Sequence, residues 1–189
     1  MSLSVVGISG SVRRVSRTTG LVRAVLDAVD RRVDGRSRLI ELVDAAPLLF
    51  SALTRAETRA EAEQIVRAVE QADILVVGTP VYRASYTGAL KHLFDLVRHE
   101  ALTGAKVVLV ATGGTPLHGL MTEHQLRPLL SFFGAFTAPT AIYATESDFH
   151  DDVLTSRAVF ERIDRAAGEI ARLCDAGTCP SSRLVAAQA

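Results

Sequence analysis

Cysteine, tryptophan and net charge are what this chain has least of. It has no tryptophan, and its two cysteines, Cys174 and Cys179, stand near the end without Cys-x-x-Cys spacing. That excludes a disulfide-stapled scaffold and a dithiol or zinc motif of that spacing, and the sequence supports no redox disulfide. Lys+Arg and Asp+Glu number 21 each, so the chain offers no field of one sign to draw in a nucleic acid, and only a local basic patch stays open. No apolar run is long enough to span a bilayer, and the first residues hold no secretion signal. A cytoplasmic protein with no membrane or nucleic-acid partner is expected. What the chain does have is 48% hydrophobic residues over 189, enough for one domain with a substantial core. That domain is expected over 1–175, and Gly177, Pro180 and Ser181-Ser182 mark a loose tail over 176–189.

The densest chemistry lies in Ser9-Gly10-Ser11-Val12-Arg13-Arg14-Val15-Ser16-Arg17-Thr18, directly after the apolar run Leu3 to Ile8. Leu3, Val5, Val6 and Ile8 suit a strand, while Leu21, Val22, Val25, Leu26 and Val29 recur at helical spacing, so the loop joins strand to helix. The first N–H groups of a helix have no intrahelical acceptor and attract anions. Hydroxyls of Ser9, Ser11, Ser16 and Thr18 add donors, and Arg13 or Arg17 adds charge. The dinucleotide fingerprint fails for want of a further glycine at its spacing, and the nucleoside-triphosphate loop fails for want of Gly-Lys-Ser/Thr, which leaves a monophosphate as the better fit. By itself the loop reads equally well as a capped turn whose hydroxyls serve the backbone and whose arginines are solvated.

Further along, strands are expected at Arg38–Val43, Asp73–Thr79, Ala105–Ala111 and, more weakly, Phe136–Tyr143, which Pro139 interrupts. Asp44-Ala45-Ala46-Pro47 reads as a break. Helices are expected at Ala56–Glu70, Tyr86–Arg98, Met121–Phe133 with a kink at Pro128, and Val153–Cys174. Five strands separated by helices imply an α/β fold with a doubly wound parallel sheet. In such a sheet ligands gather beyond the carboxyl ends of the strands, near the switch in strand order. Two more loops share that end. Thr79-Pro80-Val81-Tyr82-Arg83-Ala84-Ser85 brings peptide groups, an aromatic ring and a cation, and Thr112-Gly113-Gly114-Thr115 lets a flat ligand approach backbone donors closely. Together with the first loop they suit a planar ring with a phosphate tail.

On three stretches the chain resembles the NAD(P)H-dependent FMN reductases of the flavodoxin-like superfamily, and within them the reductases that supply reduced flavin to alkanesulfonate monooxygenases. These are Gly10-Ser11-Val12-Arg13 with Ser16-Arg17-Thr18; Thr79 to Ser85 continuing through Tyr86-Thr87-Gly88-Ala89-Leu90-Lys91; and Ala111-Thr112-Gly113-Gly114-Thr115. The resemblance implies a flavodoxin-like five-stranded parallel sheet with helices on both faces, FMN, and NADH or NADPH as hydride donor. It implies flavin phosphate contacts from Ser9, Ser11, Ser16, Arg17 and Thr18. Pro80, Val81, Tyr82 and Arg83 would lie beside the isoalloxazine, with Gly113, Gly114 and Thr115 as its second wall. It implies a flavin-dependent monooxygenase as partner, in organosulfur assimilation, and a homodimer or homotetramer.

Related quinone and azo reductases carry Pro-Glu-Tyr-Asn followed by Ser and Pro-Gly, where this chain has Pro80-Val81-Tyr82-Arg83 and Thr87-Gly88. The difference favours flavin supply over an FMN-bound quinone or azo reductase. A flavodoxin-type electron carrier would have an acidic partner surface, at odds with zero net charge. Where some sulfonate-system reductases insert a tyrosine in a widened helix turn, this chain has His124. Hydride transfer from nicotinamide to flavin needs no side-chain nucleophile and no essential acid or base, and His118 and His124 lack metal-ligand spacing. Arg83 reads as a guide for a nicotinamide phosphate, as a counter-charge for the flavin, or as a solvated arginine. Assembly is expected from Leu90, Leu93, Phe94, Leu129, Leu130, Phe132 and Phe133, unless they serve the sheet.

Overall fold

Continuous apolar runs at Val5–Ile8, Ile74–Val77 and Val107–Ala111 leave no strand face for water, so the sheet they build must be covered twice. In the computed structural model, which describes residues 2–176, the parallel strands β1 (Leu3–Ser9), β2 (Gly35–Glu41), β3 (Ile74–Pro80) and β4 (Lys106–Gly113) lie in the order β2-β1-β3-β4. A fifth position beside β4 is shared by β5 (Phe136–Thr137) and β6 (Ile142–Thr145). This is the flavodoxin-like order, with its switch between β1 and β3.

Side chains alternate across the strands. Val5, Ile74, Val76, Val108 and Val110 pack against α1 (Arg17–Asp30) and α6 (Arg157–Asp175) on one face. Val6, Ile8, Leu75, Val77, Val107 and Leu109 pack on the other against α2 (Leu42–Leu49), α3 (Ala60–Glu70), α4 (Gly88–Leu96) and α5 (Arg127–Phe132). No helix among the described residues is long and apolar enough to cross a membrane.

The fifth strand breaks where Pro139 predicts. From Val107 to Val110 β4 advances three residues while its partner advances five, from Thr137 to Ile142. Pro139 has no N–H to give the ladder. The groups freed there find side chains instead: Glu169 accepts from the Thr140 N–H and hydroxyl, both at 2.8 Å, and Arg127 donates to Thr137 Oγ1 (2.6 Å) and the Ala138 carbonyl (3.0 Å).

Five local expectations need correction. The second strand ends at Glu41, and the expected break at Asp44–Pro47 is the middle of α2, where Pro47 is tolerated in an eight-residue helix. The Ala56–Glu70 helix is in two pieces, because a box between Thr54 and Glu57 closes a 3-10 turn at Arg55–Glu57 before α3 starts. Met121–Phe133 is not one α-helix. A π turn over Thr122–Leu126 sends the Arg127 N–H five residues back to the Thr122 carbonyl, and Pro128, which cannot donate, sits in the first turn of α5. Val153 and Leu154 are not helical; they form β8 (Val153–Leu154), paired with β7 (Phe149–His150) through left-handed Asp151 and Asp152. Finally, of the apolar residues expected to drive assembly, Leu90, Leu93, Phe94, Leu130 and Phe133 are buried in the chain's own core, Leu129 is half-buried, and Phe132 alone is exposed. The tail over 177–189, Cys179 included, lies outside the described residues.

Candidate functional site

Three loops at the carboxyl edge of the sheet are stitched together. The Gly10 N–H donates to the Gly78 carbonyl (2.7 Å), and the hydroxyl of Thr87, which caps α4, donates to the Gly10 carbonyl (2.8 Å). The Val81 N–H donates to the Thr112 carbonyl (2.7 Å). A Cβ at Gly10 would stand 2.9 Å from the Gly78 carbonyl oxygen, so glycine is what lets the loops after β1 and β3 meet this closely.

The first loop divides its polar groups between structure and opening. Ser9 is fully buried with its hydroxyl 2.8 Å from Thr19 Oγ1, and Thr18 is buried with its hydroxyl 2.6 Å from Thr112 Oγ1. These two residues, assigned by resemblance to the phosphate, spend their hydroxyls fixing the first loop to its helix and to the third loop. Arg17 is likewise engaged: its guanidinium donates to Glu146 (2.9 Å) and Asp152 (2.8 Å) and lies 5.9 Å from the Phe149 ring centre. The hydrogen bond to Glu146, ahead of that to Asp152, raises the Arg17 pKa above its ordinary value. Of the remaining two hydroxyl residues, Ser16 lines a surface cleft with Arg13, Thr19 and Gly20, whereas Ser11 is buried. Ser11 is 3.3 Å from both the N–H and the carbonyl oxygen of Arg13, and Ser16 caps α1 by accepting from the Thr19 N–H (3.2 Å). The Gly20 N–H goes back to the Ser16 carbonyl, and the N–H groups of Arg17 and Thr18 have no acceptor among the described residues.

The second loop presents a ring and two cations. Pro80 ends β3 and Val81 follows; Tyr82-Arg83-Ala84-Ser85 then closes on itself through Tyr82 N–H to Ser85 carbonyl (2.9 Å) and the reverse bond (3.1 Å). Arg83 and Ala84 both have positive φ, 51° and 63°, the conformation of a tight hairpin turn that glycine and asparagine ordinarily supply. For an arginine and an alanine it costs on the order of 1 kcal/mol each. A cleft of about 460 Å³ is lined by Arg13, Val81, Tyr82 and Arg83, with the Arg13 guanidinium 5.7 Å from the Tyr82 ring centre. Neither Arg13 nor Arg83 has a carboxylate partner among the described residues.

The third loop rests on a residue that sequence reasoning did not find. Tyr143, on β6, lies against Gly113, where any Cβ would run into its hydroxyl, and that hydroxyl donates to the Thr115 carbonyl (2.6 Å). Burial pushes the Tyr143 phenol above its usual range. Gly114 faces open space: a Cβ there would meet nothing within 4 Å. Thr115 caps the 3-10 turn Pro116–His118. Tyr143 lies on the strand that pairs with β4 beside the third loop, and that neighbourhood was the signal available for it. His118 and His124 are exposed, and no cluster of three metal-ligating side chains occurs among the described residues.

The family model "NADPH-dependent FMN reductase" matches residues 3–150, a span that holds all three loops. The "NADH-dependent FMN reductase SfnF" of Pseudomonas fluorescens is 50% identical over 171 residues, covering 90% of this chain and 91% of its own. An "FMN reductase (NADPH)" of Pseudomonas aeruginosa is 45% identical over 169 residues, covering 89% and 91%. Among solved structures, the apo NADH:FMN oxidoreductase EmoB superposes with a TM-score of 0.79 at 34% identity, covering 90% of this chain and 89% of its own.

Proposed function

Because this chain belongs to the NADPH-dependent FMN reductase family and is an NAD(P)H:FMN oxidoreductase, we propose that its three edge loops hold the flavin and that the reduced product leaves for a separate flavin-dependent monooxygenase. One observation carries the placement. The N–H groups of Arg17 and Thr18 have no acceptor among the described residues and flank the Ser16 hydroxyl, at the end of the sheet where Arg13 and Arg83 have no carboxylate partner among those residues. That donor set fits a phosphate monoester. The hydroxyls of Ser9 and Thr18 and the charge of Arg17 support it indirectly, by holding the loop.

The ring would lie with Pro80, Val81 and Tyr82 on one side and Gly113, Gly114 and Thr115 on the other; FMN held there supplies the hydride acceptor for reduced nicotinamide. Tyr82 covers the pocket against water, and the peptide N–H groups at Gly113 and Gly114, with the Arg83 charge, offset negative charge on the ring. No side chain has to gain or lose a proton.

Delivery to a monooxygenase of organosulfur assimilation is supported by Pro80-Val81-Tyr82-Arg83 standing where quinone and azo reductases have Pro-Glu-Tyr-Asn. A homodimer or homotetramer belongs to the same proposal and rests on the resemblance. The test is NAD(P)H oxidation with free FMN as acceptor, set against the same assay with a quinone. Turnover that depends on added FMN and exceeds quinone turnover is expected; fast quinone turnover with negligible FMN turnover overturns the supply role.

A further inference from the structure

The strained turn after β3 is held from outside by a residue that the flavin-reductase reading leaves unused. Gln125 lies in the π turn Thr122–Leu126, ahead of α5. Its Nε2 donates to the Ala84 carbonyl (2.9 Å), and its Oε1 accepts from the Ser85 hydroxyl. One planar amide thus engages two consecutive residues of the Tyr82–Ser85 turn. The inserted residue of the π turn matters for this contact, since one residue more or fewer turns a helical side chain by about 100°.

The turn needs such support. Left-handed residues without glycine persist where the surroundings over-determine them, and here Arg83 and Ala84 are both exposed, with two backbone hydrogen bonds closing the turn itself. Tyr82 and Arg83, which line the cleft, take their direction from that backbone.

We propose that Gln125 is a positioning residue for flavin reduction: by clamping Ala84 and Ser85 it fixes the left-handed pair that sets Tyr82 and Arg83 on the cleft. The proposal rests on the reading that this turn faces the ring.

Gln125→Met keeps the length of the side chain and removes both hydrogen-bonding groups. Its KM for reduced nicotinamide at saturating FMN is expected to rise about five- to tenfold, the scale of one or two lost hydrogen bonds. Trypsin cleavage after Arg83, followed by mass spectrometry, is expected to accelerate as the turn loosens. An unchanged KM overturns the proposal whether or not cleavage accelerates, and so does a raised KM with unchanged cleavage.

Arg83→Ala, assayed alongside, separates the two readings. A raised KM in Arg83→Ala with none in Gln125→Met overturns the clamp alone, while no rise in either overturns the placement of the turn at the ring and the clamp with it. If Gln125→Met does not fold, Gln125→Glu reads the same contact, because its carboxyl can donate to Ala84 only when protonated. Its KM should fall toward the wild-type value as pH is lowered, and a pH profile parallel to wild type overturns the clamp.

Discussion

Ser16 has two tasks that one substitution separates. Its side chain caps α1, and it borders the donors assigned here to the flavin phosphate. Aspartate caps a helix as well as serine does and suits the positive end of the helix dipole, yet it repels a phosphate. Ser16→Asp is therefore expected to keep the melting temperature of the wild type while weakening FMN at least about tenfold, the scale of one lost charge-assisted contact, with riboflavin affinity unchanged. Calorimetric titration with both flavins reads the difference, and equal losses for the two would remove the phosphate from this loop. The adjacent glycines of the third loop make a second pair. Gly113→Ala should destabilise by about 1–3 kcal/mol, because the new methyl must displace Tyr143. Gly114→Val has room in the free protein and should lower flavin affinity with little change in melting temperature.

At this scale the sequence pointed to the three edge loops and could not show how their residues are paired. Thr18 meets Thr112 across 94 residues, and Arg17 meets Glu146 and Asp152 across more than a hundred. Neither pairing leaves a trace in local spacing.

Arg127 ties the start of α5 to the interrupted fifth strand, and Glu123 orients it from the π turn through bonds of 2.6 and 2.9 Å. The hydrogen bonds from Arg127 hold the Glu123 carboxyl below its usual range, with burial opposing. A depressed carboxyl stabilises the fold above its unfolded pKa, about 4.3, and loses that contribution as pH falls through the folded value. Thermal melts should therefore show wild type and Glu123→Gln converging below about pH 4, with wild type ahead by about 0.5 kcal/mol near neutrality once solvent screening is allowed for. A constant gap across that range would show that the ionised pair contributes nothing. Strands buried on both faces were legible as elements because continuous apolar runs have few other uses, and Pro139 marked the break in the fifth. The π turn was not, since its residues keep helical composition and only the hydrogen-bond register changes. The Phe149–Leu154 hairpin was missed for a similar reason: its turn is Asp151-Asp152, and no glycine announces it.

For the whole molecule, the order of the sheet matters more than any one contact. The switch between β1 and β3 brings together loops that are far apart in sequence, and β4 with β6 completes the edge with the Gly113 loop and Tyr143. Zero net charge leaves recognition to this edge, where Arg13 and Arg83 are cations without carboxylate partners among the described residues. The central claim is that the edge binds FMN so that reduced nicotinamide can reach it. The most direct test is anaerobic stopped-flow mixing of the protein and FMN with NADH and, separately, NADPH, following the absorbance of oxidised flavin. Rapid bleaching with at least one nicotinamide, lost in Ser16→Asp at FMN concentrations that saturate the wild type and recovered when FMN is raised, is the predicted result. Failure of both nicotinamides to bleach FMN that titration shows to be bound would contradict the account.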